Sequence, residues 1–123
     1  MLVIYMTRVG AVVDNEGKIK KLPDGKWIVV YDTLKKLSER YDNPGYYAQS
    51  NRRLQTTLRM IELKVEVVLV PSQGFCKVSY NKAKENMRFI LVNENEKLDD
   101  LIPKIQEMIK NALIELPEDV LFK

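Results

Sequence analysis

Val65-Glu-Val-Val-Leu-Val-Pro71-Ser-Gln-Gly74-Phe-Cys76-Lys77, followed by Arg88-Phe-Ile-Leu-Val92, decides the fold. Val65–Val70 is a near-continuous apolar run, broken only by Glu66. Such a run suits an inner strand covered on both faces. Pro71–Gly74 breaks it and reads as a loop. Residues 76–86 read as a short helix, and Arg88–Val92 as a second strand. Two strands joined by a helix are expected to be parallel, with a right-handed connection.

Toward the start of the chain, residues 8–14 read as a strand, followed by the turn Asn15-Glu16-Gly17-Lys18. Lys18–Leu22 is a polar, extended stretch, and Pro23-Asp24-Gly25-Lys26 is a second turn. Trp27-Ile-Val-Val-Tyr31 has the strongest strand composition in the chain. Residues 34–41 support two readings. Leu34, Leu37 and Tyr41 have helical spacing, but a strand folding back on residues 27–31 is equally consistent. Asn43-Pro44-Gly45 ends that element. Residues 50–63 read as a helix with a stripe of Leu54, Leu58 and Ile61, capped by Ser50 or Asn51.

Beyond the deciding stretch, Asn93–Glu96 is a turn. A long helix is expected from about Asp100 to Leu116, with a stripe of Leu101, Ile102, Ile105, Met108, Ile109, Ala112 and Leu113. Pro103 fits only within its first turn, which places the cap at Asp99 or Asp100. The order is β-β-(β or α)-α-β-α-β-α, a small three-layer α/β domain.

Composition narrows the function classes. The 123 residues suit one domain spanning 1–123. No apolar stretch approaches the roughly 20 residues that span a bilayer. Met1–Met6 is apolar but lacks a basic start and a cleavage site, so no export signal is expected and the expected address is cytoplasmic. The single cysteine, Cys76, excludes an internal disulfide. The absence of histidine excludes Ser-His-Asp and Cys-His catalysis, His-ligated zinc and a histidine pH switch. A net charge of +3 does not by itself point to nucleic acid. Abundant Lys, Glu, Ile and Val with sparse Gln fit a thermophile's protein.

Several pieces, in this order, resemble the dinitrogenase iron–molybdenum cofactor-binding family of the NifX and NafY type. Val9-Gly-Ala-Val-Val-Asp-Asn-Glu-Gly17-Lys18 is similar to that family's first strand and turn. Trp27-Ile-Val-Val-Tyr-Asp32 is similar to its second strand, and Glu39-Arg-Tyr-Asp-Asn-Pro-Gly45 to the segment leading into its first helix. Val65–Pro71 with Gly74, and Arg88–Val92 with the helix after it, complete the likeness over about residues 8–114. The resemblance implies a ribonuclease H-like fold, with a mixed, mostly five-stranded sheet and about three helices. It implies a non-catalytic domain that binds or carries an iron–molybdenum or iron–sulfur cluster, with cluster donor and acceptor proteins as partners. Relatives commonly carry a His-Phe-Gly triplet between the first two strands. Here Lys20–Gly25 stands in that place, without histidine.

Two segments are candidate sites. The loop Pro71–Lys77 follows a buried strand and leads into a helix, where ligands of open α/β sheets bind and where free N–H groups favour an anion. Ser72, Gly74, Cys76 and Lys77 belong to it, with Cys76 as a soft thiolate ligand. Alternatively, Cys76 is a small buried apolar residue and the loop a plain connection. The segment Asn43–Arg53 places Tyr46 and Tyr47 before Arg52 and Arg53. Cations at a helix N-terminus are unfavourable unless something offsets them, and a bound anion would do so. The plainer alternative is a solvated basic face with half-buried tyrosines. One cysteine does not satisfy a cluster, so other ligands are expected from outside the chain or from a second subunit. A different class of function is a scaffold that binds protein or nucleic acid through the Tyr46/Tyr47–Arg52/Arg53 surface. Asp14, Asp32 and Asp42 end strands, but they lack the further carboxylates of a two-metal nuclease site and read as turn or cap residues.

Overall fold

A computed structural model describes residues 7–123. Met1–Met6, with the expectation attached to it, lies outside the described residues. β1 (Arg8–Val13) pairs antiparallel with β2 (Trp27–Asp32), Val9 opposite Tyr31 and Val13 opposite Trp27. β3 (Leu37–Asp42) pairs antiparallel with β2. β4 (Val67–Val70) runs parallel to β1, and β5 (Arg88–Leu91) parallel to β4. The sheet order is therefore β3-β2-β1-β4-β5, with β2 alone reversed.

Period-two alternation divides the buried residues between the two sheet faces. Val9, Ala11, Val13, Val67 and Leu69 pack on one face beneath α4 (Leu98–Leu101), a 3₁₀ turn (Ile102–Lys104) and α5 (Ile105–Lys110). Val12, Val30, Val68 and Val70 pack on the other with Met60, Phe75, Tyr80 and Phe89. That second face is covered by α2 (Arg52–Glu62) and α3 (Lys77–Ala83). The result is a three-layer α/β domain of ribonuclease H-like fold with a mixed five-stranded sheet. No helix among the described residues is long and apolar enough to cross a membrane.

Three expectations need correction or a decision. The ambiguous segment 34–41 is a turn through Lys36 and then a strand, Leu37–Asp42, at the sheet edge, exposed along nearly its whole length, so it lacks the alternation that marks a half-buried strand. The buried face of α2 is only in part the expected stripe, of which Ile61 packs against the edge of the core. Thr56, Thr57 and Met60 point inward, whereas Leu58 is 40% exposed. The threonines tolerate burial because their hydroxyls are bonded. Thr57 donates to the Arg53 carbonyl at 2.9 Å, and Thr56 to Asn43 Oδ1 at 2.7 Å. The last helix is shorter and broken. It starts after Lys97, not after Asp99 or Asp100, and ends at Lys110. Pro103 falls past the first turn, where it has no N–H for the Asp99 carbonyl, and the chain tightens to a 3₁₀ turn there.

Past that helix the chain changes sheet face. Leu113 pairs with Phe89 on the outer edge of β5, and Leu116 and Leu121 enter the core under α2 and α3. The Leu116 N–H donates to the Tyr80 hydroxyl at 3.0 Å.

Asn43 is the polar centre of the loop region. It has no exposed surface, and it caps the single-turn helix α1 (Pro44–Tyr47) by accepting from the Gly45 N–H at 3.1 Å. Its amide nitrogen donates to the Leu22 and Gly25 carbonyls at 2.7 and 2.8 Å. Gly45 permits this closeness, because a Cβ there would sit 2.0 Å from Thr56 Oγ1 and 2.3 Å from the Arg52 carbonyl.

Candidate functional site

Cys76 and the Arg52–Arg53 pair come from separate candidate segments, and the fold brings them to one cleft of about 390 Å³. The first turn of α2 forms one wall, and Pro23, Val78 and Phe122 complete the surround. Ser72, Gly74 and Lys77 do not line it. Ser72 is exposed. Gly74 is buried, and a Cβ there would press to 2.3 Å from a Val70 methyl. Lys77 is exposed and forms a surface ion pair with Glu118 at 3.6 Å.

Two helix ends meet at the cleft, that of α3 through Cys76 and Val78 and that of α2 through Asn51, Arg52 and Arg53, and they are capped differently. At α3, Cys76 is itself the N-cap, and its side chain accepts from the Ser79 backbone. The Ser79 hydroxyl in turn accepts from the Cys76 N–H at 3.0 Å and lies 3.2 Å from Sγ. This closed box uses the free groups of α3 internally. At α2, the cap residue Asn51 sits in the left-handed region at φ 51° and makes no side-chain cap bond. The first turn of α2 has no acidic residue and two arginines. Its backbone N–H groups and its dipole therefore present uncompensated positive character to the cleft.

The arginines are fixed by backbone carbonyls. Arg52 donates from Nε to Gly45 at 2.9 Å and from Nη2 to Pro23 and Tyr46, each at 3.0 Å. Arg53 donates from Nε to Gly74 at 2.9 Å and from Nη2 to Gln73 at 3.0 Å. Its guanidinium also stacks 3.9 Å from the Phe122 ring centre. These carbonyls offset two cations at a helix start, so a bound anion is not required for that purpose. The guanidiniums are consequently held in place before any ligand arrives. The Nη1 group of each makes no hydrogen bond among the described residues.

The Cys76 thiol is tuned in two directions. Burial pushes its pKa up, but hydrogen bonds from Ser79 and the Val78 N–H, with the Arg53 charge, outweigh burial and leave it below the ordinary thiol value. Burial likewise lowers the Arg53 pKa, and the Cys76 charge works against that. Replacing Arg53 with glutamine is expected to raise the thiol pKa and slow alkylation of Cys76 at neutral pH. Arg53→Lys, which keeps the charge, should shift it less. Ultraviolet titration of the thiolate checks this, and an unchanged curve for Arg53→Gln would remove Arg53 from the account.

Phe122 and Pro23 were not singled out from sequence. Phe122 lies in the tail beyond the expected last helix, where no periodic pattern marks it. Two of the carboxylates at strand ends, Asp14 and Asp32, have local roles. Asp14 Oδ1 accepts from the Glu16 and Lys18 N–H groups, and Asp32 Oδ1 from those of Leu34 and Lys35. Among the described residues no group of three or more His, Cys, Asp or Glu is arranged to hold a metal ion.

The fold and cleft define a class: ribonuclease H-like α/β domains with a ligand-sized depression where two helices approach each other. No family model matches the chain. No curated protein matches it either. Among solved structures, the chain is similar to the apo form of the orange protein from Desulfovibrio gigas. The TM-score is 0.72 at 11% identity, covering 89% of this chain and 93% of that one. It is also similar to a "putative dinitrogenase" from Methanocaldococcus jannaschii (TM-score 0.63, 14% identity, 85% and 91% covered). A "putative NifB protein" from Thermotoga gives a TM-score of 0.63 at 15% identity, with 83% and 89% covered. At these identities the likeness is one of fold, and that fold is shared with nitrogenase-related proteins.

Proposed function

We propose that this chain is a non-catalytic binding and carrier domain whose cargo is an anionic iron–sulfur or iron–molybdenum-type cluster. The observation that carries the reading is the meeting of a thiol of lowered pKa with two pre-oriented guanidiniums in one cleft. A thiolate is the soft donor that such clusters take, and the arginines with the α2 N-terminus offset a cluster's negative charge. The donor set fits transient capture better than permanent residence, because the chain supplies one sulfur ligand. The other coordination positions belong to ligands that travel with the cargo or to a donor or acceptor protein. The fold shared with nitrogenase-related proteins supports the same reading.

Anaerobic reconstitution with iron and sulfide tests it, followed by visible absorbance and bound metal. Wild type is expected to take up iron stoichiometrically, and Cys76→Ala to lose most of it. Iron bound equally by both proteins would place the cluster elsewhere. No iron in either would sink the reading and favour the Tyr46/Tyr47–Arg52/Arg53 surface as a nucleic-acid or protein contact, tested by salt-dependent binding of single strands.

A further inference from the structure

The two edges of the sheet differ. On β5, the Phe89 N–H donates to the Leu113 carbonyl at 2.8 Å and the Leu113 N–H to Phe89 at 2.7 Å, so the tail pairs with that edge at its middle. The outer edge of β3 carries no strand among the described residues. The Asn43 N–H donates inward to the Lys26 carbonyl at 3.0 Å. Because N–H direction alternates along a strand, residues 37, 39 and 41 also bond toward β2. Ser38, Arg40 and Asp42 therefore turn their backbone N–H and C=O groups outward. The strand has no proline, and its register with β2 runs unbroken from Asp42 to Leu37, so neither proline nor a bulge blunts this edge, and the charges it carries are of both signs, Glu39, Arg40 and Asp42. Large apolar side chains are exposed at both of its ends. Leu34 and Leu37 are 52% and 63% exposed where the chain enters, and Tyr46 and Tyr47 41% and 56% where it leaves.

We propose that β3 pairs antiparallel with β3 of a second copy of this chain, with Arg40 opposite the partner's Asp42. In a two-fold antiparallel pair, facing residues share a sheet face, so outward-bonding residues pair only with one another. Arg40 can then face the partner's Ser38, the partner's Arg40 or the partner's Asp42. The first sets Glu39 against the partner's Glu39, and the second sets two arginines together; both are unfavourable. The third makes two opposite-charge pairs and sets Tyr41 against the partner's Tyr41. Neither Arg40 nor Asp42 has an ion pair within the chain among the described residues. The Trp27 ring, 4.2 Å from the Arg40 guanidinium, holds that charge on one face. Antiparallel pairing also brings the Leu34–Leu37 end beside the partner's Tyr46 and the partner's Tyr47, covering apolar surface that is otherwise exposed.

Sedimentation of the full chain over a range of concentrations tests this. Wild type is expected to dimerise. Arg40→Asp and Asp42→Arg should each weaken the dimer at least about tenfold, and the double exchange should restore it. A wild-type monomer up to about 1 mM, insensitivity to the single reversals, or failure of the double exchange would each overturn the proposal. Should a single variant not fold, Tyr41→Cys with Cys76→Ser reads the register directly. Oxidation is expected to link two copies through position 41, and absence of the link overturns the pairing.

Discussion

Replacing Asn43 with alanine is expected to cost about 3 kcal/mol of unfolding free energy in urea denaturation. The loss would come from a side chain with no exposed surface that serves four groups at once. Without it, the Gly25 carbonyl loses its donor and the Gly45 N–H its acceptor, while the Leu22 carbonyl and the Thr56 hydroxyl each lose their shortest bond and keep longer ones at 3.2 Å. Buried polar groups left without partners bear most of their desolvation cost. Asn43→Asp separates this from simple truncation. It keeps the acceptor but turns a carboxylate toward two carbonyl oxygens. Its folded pKa should lie above the unfolded value, so the protonated form, which can donate, is favoured in the fold. The stability of this variant is then greatest below the unfolded carboxyl pKa and falls as pH rises through the folded one. A loss below about 1 kcal/mol for Asn43→Ala would show that the loops hold without this hub.

Phe89→Ala is expected to cost about 3–5 kcal/mol by the same measurement. Phe89 is fully buried on an inner face of β5, between Phe75 at 5.5 Å and Tyr80 at 5.4 Å between ring centres. Both contacts are tilted or edge-on, the arrangement that aromatic rings favour. Phe89→Leu keeps most of the volume and should cost about 1–2 kcal/mol. Equal losses for the two variants would mean that ring geometry, not filled space, dominates. Because Phe75 precedes Cys76, Phe89→Ala should also loosen the cleft and raise Cys76 reactivity at fixed pH.

Central strands were readable because burial on both faces leaves an apolar run, as at Val65–Val70. The edge strand was not, because β3 gains its place from backbone pairing with β2 while its side chains stay in water. The face of α2 was misread because leucines outrank threonines in any apolar tally. The threonines became interior residues only once Asn43 and the Arg53 carbonyl were there to bond them. The candidate site was legible in part. Cysteine and arginine advertise their chemistry, and the two segments do converge. Which helix end remained open depended on the Cys76–Ser79 box, a contact between a weak capper and an ordinary serine. Phe122 carried no signal because its role arises from the tail's path around β5.

That tail sets an order of assembly. Leu116 and Leu121 follow, in the sequence, every strand and helix whose core they complete, and Leu113 follows the strand it pairs with. A chain emerging from the ribosome can form the hairpin of β1 and β2 early, since those contacts are close in sequence. It cannot seal the α2–α3 layer, nor pair the outer side of Phe89, until residues 113–121 are free. Until then the nascent domain shows both sheet edges to its neighbours, which makes residues 113–121 a guard against mispairing at β5 during synthesis.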